Sequence, residues 1–261
     1  MKTFRLIGMT LLAIVLCVNF IACNSDTPEP EKNENGIITS QKQLMQIKKV
    51  DGHSTITWNF TYDLKDRLTS INYIEKYGNN THTNITDYTW GNNIIISGTN
   101  DNTNKTYSLN NNLVETIHYN EDGRNLTFTY NSSNELTTFQ ETYKNSNSMI
   151  TYTWENGKII KNSYESGESL EYIYSGKTCK GYFPLYGLLY YDENIFYVHP
   201  ELIGLRSTNL PDQLIMKNDE YKIDYAYSFD KDGYVDSCTE THTFGTSNNE
   251  TMTFIYTFTW E

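Results

Sequence analysis

The sequence predicts an all-β protein, an antiparallel meander of about fifteen strands that curls into a closed or nearly closed barrel. The first observation is the alternation of apolar and polar residues, as in Arg124–Phe139, where Leu126, Phe128 and Tyr130 share one face. The second is the regular return of short Asp-Gly and Asn-Gly turns between alternating stretches. The third is the composition, because 22 Tyr, 11 Phe and 4 Trp favour strands. Closure would remove the free edges of so wide a sheet.

The first 22 residues, 1–22, have the features of a lipoprotein signal peptide. Lys2 and Arg5 precede an apolar stretch, as in secretory signals, and this stretch is too short for a spanning helix. The segment ends in Phe20–Cys23, which resembles a bacterial lipobox and implies cleavage before Cys23 and lipid attachment at that residue. The alternative is an ordinary signal peptide that is cut elsewhere. Lipid attachment would make the membrane a partner, because two or more acyl chains give stable anchoring.

Residues 23–39 are predicted to be a flexible acidic tether between the lipid and the domain. The segment has no apolar periodicity and contains Pro28, Pro30 and several acids. Asp26 and Glu29 resemble the acidic export signal of Bacteroidetes surface lipoproteins. This resemblance implies an outer-membrane protein that faces the cell exterior, and a generic acidic linker is the alternative.

The negative charge of the chain argues against one class of partner. The formal net charge is −12 at pH 7, and removal of residues 1–22 takes away two positive charges and leaves −14. Nucleic-acid binding needs Lys and Arg to neutralise phosphates, so we expect no nucleic-acid partner. An acidic body is also not attracted to anionic lipid heads, so membrane attachment would depend on the acyl chains.

Residues 40–261 are predicted to form a single barrel-like domain of β-hairpin repeats, within the range of about 200–250 residues known for all-β domains. Each predicted strand alternates apolar and polar residues between polar turns. The predicted strands are Leu44–Val50, Ile56–Tyr62, a strand with Ile71 and Tyr73, His82–Trp90, Asn93–Ser97, Lys105–Leu109, Leu113–Tyr119, the first strand of the Arg124–Phe139 hairpin, Glu135–Lys144, Met149–Glu155, Lys158–Tyr164, Ser169–Ser175, Tyr221–Asp230, Tyr234–Phe244 and Thr251–Trp260.

Four turns share one form: an aromatic residue, an Asx residue, a polar turn and, in most copies, an apolar return. They are Tyr62–Leu68, Tyr119–Asn125, Tyr130–Leu136 and Phe229–Val235. This form resembles the YD repeats of Rhs-type proteins in a degenerate version. It is also similar to a domain-of-unknown-function family of Bacteroidetes lipoproteins described as having a porin-like fold. The resemblance covers most of residues 40–261 and implies hairpin repetition, but no activity.

The segment from about 179 to 219 interrupts this pattern. It holds three of the five prolines, and its apolar residues occur in clumps rather than in alternation. Pro200 fits the start of a short helix that runs to Arg206. So much apolar sequence would be costly to expose. The segment is therefore predicted to be irregular and partly helical, and to act as a plug or flap over one face of the curled sheet.

This segment also holds the candidate ligand-binding residues, Tyr190, Tyr191, Asp192 and Glu193. Tyrosine rings stack on the apolar faces of sugars and offer a hydrogen-bonding tip. Asp192 and Glu193 are the carboxylates to test for sugar hydrolysis, whose spacing is spatial rather than sequential. The more conservative interpretation is that tyrosines hold the sheet together as cross-strand pairs.

No metal, cofactor or catalytic site is predicted. The five histidines are scattered without ligand spacing, and Asp230–Gly233 fits a hairpin turn better than a calcium loop. Cys179 and Cys238 would be able to pair in an oxidising compartment, and two buried free thiols are the alternative.

The last strand raises the question of whether the barrel crosses a membrane. Thr251–Trp260 alternates up to a final aromatic, which resembles the assembly signal of outer-membrane barrels, although Glu261 follows. A spanning barrel needs an uninterrupted apolar outer band. Charged residues near the middles of several predicted strands, such as Glu75 and Asp224, interrupt any such band. We therefore expect a barrel that does not insert.

Three functions remain open from the sequence. The first is a non-catalytic surface binding or accessory module with a glycan, peptide or protein partner. The second is a structural or shielding shell related to Rhs-type repeats. The third is a glycoside hydrolase that uses carboxylates near Asp192. The first agrees best with the anchor, the tether and the aromatic content.

Overall fold

The computed structural model describes residues 41–98, 104–181, 194–205, 207–217, 221–245 and 250–261. These ranges form sixteen antiparallel strands in one sheet, each paired with its neighbours in the sequence. The sheet closes because β1 pairs with β16, which places Ile47 opposite Phe258. The predicted all-β barrel is therefore confirmed, with sixteen strands and full closure.

The strands are short and are joined mostly by tight turns. They are β1 Leu44–Val50, β2 Ser54–Tyr62, β3 Leu68–Tyr77, β4 Asn80–Trp90, β5 Asn93–Gly98, β6 Lys105–Asn110, β7 Leu113–Tyr119, β8 Asn125–Tyr130, β9 Leu136–Tyr143, β10 Ser146–Glu155, β11 Lys158–Tyr164, β12 Ser169–Ile173, β13 Gln213–Lys217, β14 Tyr221–Phe229, β15 Val235–Phe244 and β16 Glu250–Trp260. Two 3-10 helices, Asn194–Tyr197 and Pro200–Ile203, lie between β12 and β13. In the described ranges, no helix combines the length and apolar character needed to cross a bilayer.

Strand β13 is the one strand that sequence analysis missed, because it lies at the end of the segment predicted to be irregular. Leu214 pairs with Tyr172 of β12 and with Ile223 of β14, and its side chain is buried. A short apolar run has no period of two, so the pattern does not separate a strand from a packed loop. Elsewhere in the described part of this segment, the helical residues are Asn194–Tyr197 and Pro200–Ile203, so the helix predicted to run from Pro200 to Arg206 ends at Ile203.

The two faces of the sheet differ in polarity. On β16, Tyr256 and Phe258 are buried in the lumen, whereas Thr253, Thr257 and Thr259 are exposed on the outer face. The same alternation recurs on the other described strands, so the apolar core lies inside the barrel. A membrane-spanning barrel has the opposite arrangement, with an apolar outer band and a polar lumen.

Three of the four predicted turn repeats share one hydrogen-bonding pattern. In the turns after β2, β8 and β14, the Oδ1 atoms of Asp63, Asn131 and Asp230 each accept two backbone N–H groups. The donors lie two and four positions later, at 2.8–3.1 Å. An Asx side chain thus organises each turn. These turns lie at one end of the barrel, which we call the plug end, and the other end is the distal end.

The fourth predicted copy, Tyr119–Asn125, differs from the other three. It lies at the distal end, after β7, and Asp122 rather than Asn120 accepts the backbone N–H of Arg124, at 2.9 Å. The occurrence of an aromatic residue followed by an Asx residue therefore does not by itself define the hydrogen-bonding pattern of the turn.

Beside each of these three plug-end turns, a tryptophan of the next strand forms a further hydrogen bond. The Nε1–H groups of Trp90, Trp154 and Trp260 donate to the backbone carbonyls of the first residues of β3, β9 and β15, at 2.6, 2.7 and 2.7 Å. Those acceptors are Leu68, Leu136 and Val235, which stand next to β-bulges. A bulge interrupts the ladder of backbone hydrogen bonds, and the indole N–H donates to a backbone carbonyl at that point.

The ion pair in the turn after β2 predicts a pH dependence of stability. The guanidinium of Arg67 hydrogen-bonds to Asp63, and this contact lowers the pKa of Asp63 from 3.8 to about 2. Asn at this position, as in the turn of Asn131, can still accept the two N–H groups but cannot form the ion pair. Because the folded-state pKa lies below the unfolded one, the stabilisation by Asp63 is present above about pH 4 and is lost as the pH falls toward about 2.

We therefore expect wild type to be more stable than Asp63→Asn at neutral pH, and this difference to vanish as the pH approaches 2. Urea unfolding followed by tryptophan fluorescence at a series of pH values measures it. Lys65→Met is the control, because it removes a charge from the same turn and leaves the Asp63–Arg67 pair intact. A constant difference at every pH would contradict the ion-pair explanation.

Candidate functional site

The plug end of the lumen is filled by apolar side chains. We define the plug as residues 194–205. Its Ile195, Phe196 and Ile203 are fully or almost fully buried. The Phe196 ring lies 6.1 Å from that of Tyr107 and 6.2 Å from that of Phe128, both edge to face. The predicted plug or flap is therefore a plug inside the barrel.

His199 attaches the plug to the barrel wall by polar contacts. Its Nε2 accepts the backbone N–H of Leu68 at 3.2 Å, and its Nδ1 lies 2.8 Å from Oε1 of Glu201. The ring also packs against Trp90 and Tyr62, with centroids at 5.5 and 6.4 Å. Because Nε2 accepts a hydrogen bond, Nδ1 carries the proton and donates to Glu201. The plug is thus fixed at the first residue of β3.

The distal half of the lumen is different, because it contains a chain of polar groups. Glu240 of β15 is 4% exposed, and its Oε2 lies 3.4 Å from Nε2 of His242. Nδ1 of His242 lies 2.6 Å from the hydroxyl of Tyr221. Burial, with a smaller effect of Glu240, raises the pKa of Tyr221 to about 12, so its hydroxyl stays protonated and donates.

Several buried polar atoms of the described barrel lack a hydrogen-bond partner, and three examples lie in the lumen. They are Nε1 of Trp58, Oδ1 of Asn162 and the hydroxyl of Tyr225, which lies opposite Glu240 across β14 and β15. Leaving such a group unsatisfied costs about 1–3 kcal/mol.

A cavity of about 250 Å³ lies beside Trp58, between the plug and the distal end. Trp58 stands between the plug and the cavity, with its ring 5.9 Å from Tyr197 and 5.8 Å from Tyr73. Aromatic, amide, imidazole and ammonium groups meet there. The lining residues are Lys49, Ile56, Trp58, Ile71, Tyr73, His82, Asn84, Thr86 and Asn194.

Lys49 brings a positive charge into this half of the lumen. It faces inward on β1, two positions after the buried Ile47. Its Nζ lies 4.2 Å from the centre of the Phe254 ring and 5.6 Å from that of Tyr256. Cation–π contacts of this kind compensate part of the lost hydration of the ammonium group. The charge is therefore held next to the cavity by the rings of β16.

A second cavity, of about 310 Å³, lies at the distal end near Arg124. The guanidinium of Arg124 lies 3.7 Å from the centre of the Tyr119 ring and 3.5 Å from Oε1 of Glu141. Asp122 and Glu121 also line it. The guanidinium of Arg124 is thus already engaged within the protein, and we regard the cavity beside Trp58 as the candidate site.

The structure does not describe the residues predicted from the sequence as ligand-binding. Tyr190, Tyr191, Asp192 and Glu193 lie outside the described residues, as do Cys23, the signal segment 1–22 and the tether 23–39.

The two cysteines of the described barrel are free thiols. Burial raises the pKa of the Cys179 thiol to about 12. Burial and, to a lesser extent, Glu240 also raise the pKa of Cys238 well above its usual range. Both thiols therefore stay protonated at neutral pH and are poor nucleophiles. The Cys179–Cys238 disulfide is not formed in this structure.

Sequence reasoning missed the residues of the candidate site, although a signal for one of them was present. Lys49 shares the face of the apolar Ile47 on β1. A charge on the apolar face of a strand marks a position that needs a compensating partner. Trp58 carried no such signal, because its orphaned Nε1 depends on the surrounding packing.

Solved structures similar to this chain are described as porin-like proteins. One from Bacteroides uniformis has a TM-score of 0.71 at 20% identity, over 85% of this chain and 99% of that chain. One from Bacteroides vulgatus has a TM-score of 0.60 at 13% identity, over 84% of this chain and 99% of that chain. These identities show the fold alone, which is the porin-like barrel expected from the sequence. No family model and no curated protein matches the chain, so the YD-repeat and lipoprotein-family resemblances stay predictions.

Proposed function

We propose that the protein is a lipid-anchored lipoprotein of the outer-membrane surface that binds a small polar ligand, of the glycan class, inside its barrel. Catalysis is not part of this proposal. The observation that carries it is the cavity beside Trp58, whose lining combines aromatic rings, amides, an imidazole and an inward-facing ammonium group. The anchoring part rests on the lipobox-like sequence at Cys23 and on the acidic tether.

The closed sheet argues for glycan over peptide. Peptides commonly bind by adding a strand to a free sheet edge. Here β1 pairs with β16, so the barrel offers no such edge. The cavity is also smaller than the range of about 300–1,000 Å³ typical of pockets for drug-sized ligands. It suits a single ring, such as the terminal sugar of a chain.

The two alternative functions have weaker support. A shielding shell requires a hollow interior, whereas buried side chains of the plug and wall fill the plug half of the lumen. A hydrolase would rely on Asp192 and Glu193, and these lie outside the described residues.

Neighbouring residues on opposite faces of β4 give a sharp test of ligand binding. Asn84→Phe places a ring in the cavity, whereas Ile85→Phe places the same ring on the outer face, where Ile85 is 41% exposed. With the full chain purified in detergent, a glycan array identifies a ligand and calorimetry measures its affinity. We expect Asn84→Phe to weaken binding by about tenfold or more and Ile85→Phe to leave it unchanged. Equal affinities in folded variants, or no glycan ligand, would refute binding in this cavity.

The anchor has a matched control within the chain. Cys23→Ala should abolish labelling by a radioactive fatty acid and release the protein from the membrane fraction. Cys17→Ala changes the other cysteine of the N-terminal segment and should leave labelling intact. Protease treatment of whole cells then reports whether the barrel faces outward. Labelling that survives Cys23→Ala would contradict the proposed anchor.

A further inference from the structure

We infer that the ligand is a neutral oligosaccharide whose terminal sugar enters the cavity beside Trp58 and whose later sugars stack on Phe244 at the distal mouth of the barrel. This inference rests on the proposed function and specifies the length and the charge of its ligand.

Phe244 is an exposed aromatic ring on the inner face of the barrel wall. It ends β15 and lies two positions after His242 and four after the buried Glu240, so these three side chains share the inward face. The Phe244 ring lies 5.1 Å from that of Tyr221 and 6.4 Å from that of His242. These contacts hold the ring in place, yet 42% of the residue stays exposed. Phe244 therefore offers a fixed apolar surface to a ligand.

Met252 of β16 extends this surface. The pairing of β15 with β16 places Met252 opposite His242 and Glu250 opposite Phe244, and directly opposite residues share one face of a sheet. Met252 is 49% exposed. Single exposed apolar residues are common, whereas neighbouring ones on one face mark a binding surface more often. We call this surface the mouth platform and define it as Tyr221, His242, Phe244 and Met252.

Phe254 connects the mouth platform to the cavity beside Trp58. Its ring lies 4.9 Å from that of His242, edge to face, and 4.2 Å from Nζ of Lys49, which lines the cavity. The cavity of about 250 Å³ accommodates about one sugar ring. Buried side chains fill the plug half of the lumen. A chain whose end fills the cavity must therefore continue past Phe254 toward the mouth platform.

The chemistry of the mouth platform suits neutral sugars. A sugar ring has an apolar face that stacks on an aromatic ring, and its hydroxyl groups donate hydrogen bonds. The exposed carboxylate of Glu250 lies opposite Phe244 and can only accept. The buried carboxylate of Glu240 lies 3.4 Å from Nε2 of His242. Both negative charges would repel an acidic sugar.

Two phenylalanines of nearly equal exposure at opposite ends of the barrel provide the test. Phe244 is 42% exposed at the distal end, whereas Phe229 is 41% exposed at the plug end. Phe244→Ala and Phe229→Ala remove the same ring, and Phe244→Trp keeps a ring at the platform. The probes are cello-, malto-, manno- and xylo-oligosaccharides from monosaccharide to hexasaccharide, and oligogalacturonides as acidic counterparts. Calorimetry and saturation-transfer NMR with the full chain in detergent give affinities, and circular dichroism confirms folding.

We expect at least one neutral series to bind about tenfold or more tightly as an oligosaccharide than as its monosaccharide. Phe244→Ala should remove about tenfold of this gain and leave the affinity for the monosaccharide unchanged, because only the longer ligands reach the mouth. Phe229→Ala and Phe244→Trp should keep the gain. The oligogalacturonides should bind more weakly than the best neutral series.

The inference and the proposed function would fail in distinguishable ways. If a monosaccharide binds but longer chains gain nothing, or if Phe244→Ala keeps the gain, the mouth platform is not part of the site and the proposed function stands. Tighter binding of the oligogalacturonides would likewise overturn only the neutral charge of the ligand. If no sugar of any length binds, both the inference and the proposed function fail.

Discussion

Gly204→Ala should destabilise the barrel by about 2–5 kcal/mol. Gly204 ends the second 3-10 helix of the plug with φ of +70°, a conformation that costs an L-residue about 1–2 kcal/mol. A Cβ there would also overlap the carbonyl oxygen of Asn134 and lie 3.1 Å from the nitrogen of Leu136. Both are backbone atoms of the turn after β8, so neither can move aside without disturbing the turn. Overpacking of this kind adds about 1–3 kcal/mol.

Gly157→Ala is the matched control for this substitution. Gly157 also has φ of +70°, in the turn between β10 and β11, but no atom lies within 4 Å of its added Cβ. The Gly157→Ala variant should lose only the conformational contribution to stability, about 1–2 kcal/mol. Urea unfolding of both variants measures the difference. Equal losses in the two variants would mean that the plug does not press against the turn of Asn134.

The second large effect is expected from Phe196→Ala, which should cost about 3–5 kcal/mol. The side chain is 2% exposed and packs between Tyr107 and Phe128. Its removal leaves a cavity in the centre of the plug half, where the barrel wall is closed and cannot collapse inward. The loss of stability then includes both the lost free energy of transferring the ring from water to the core and the cost of the cavity that remains.

Urea unfolding and hydrogen exchange of the full chain would measure the effect of Phe196→Ala. Exchange should become faster at plug residues before it does at the strands if the plug can detach as a unit. Leu64→Ala is the control, since Leu64 is 106% exposed and its truncation should change stability by less than about 0.5 kcal/mol. A loss of similar size in the two variants would contradict a packed plug.

Much of the fold could be predicted because it depends on local sequence. The alternation in Thr251–Trp260 gave the last strand, which the structure places at Glu250–Trp260. The turns after β2, β8 and β14 follow from Asp63, Asn131 and Asp230, whose side chains bond to backbone only two and four positions away. Strand β13 was missed because its apolar run, Leu214–Met216, is too short to show a distinguishing period.

The candidate site could not be predicted in the same way. Lys49 meets the rings of Phe254 and Tyr256 only because the first strand pairs with the last. Trp58 is orphaned only because the wall and the plug around it are packed without an acceptor for its Nε1. Contacts between residues about 200 positions apart have no counterpart in a local pattern.

Local sequence specifies which residues share a face of each strand and where the chain turns, because both depend on neighbours within a few positions. Which face became the lumen depends on closure of the sheet. Closure of β1 on β16 enclosed the aromatic face and exposed the threonines. It also placed the plug at one end and left orphaned polar groups in the other half. Alternation defines two faces, and only a closed sheet makes one of them an interior.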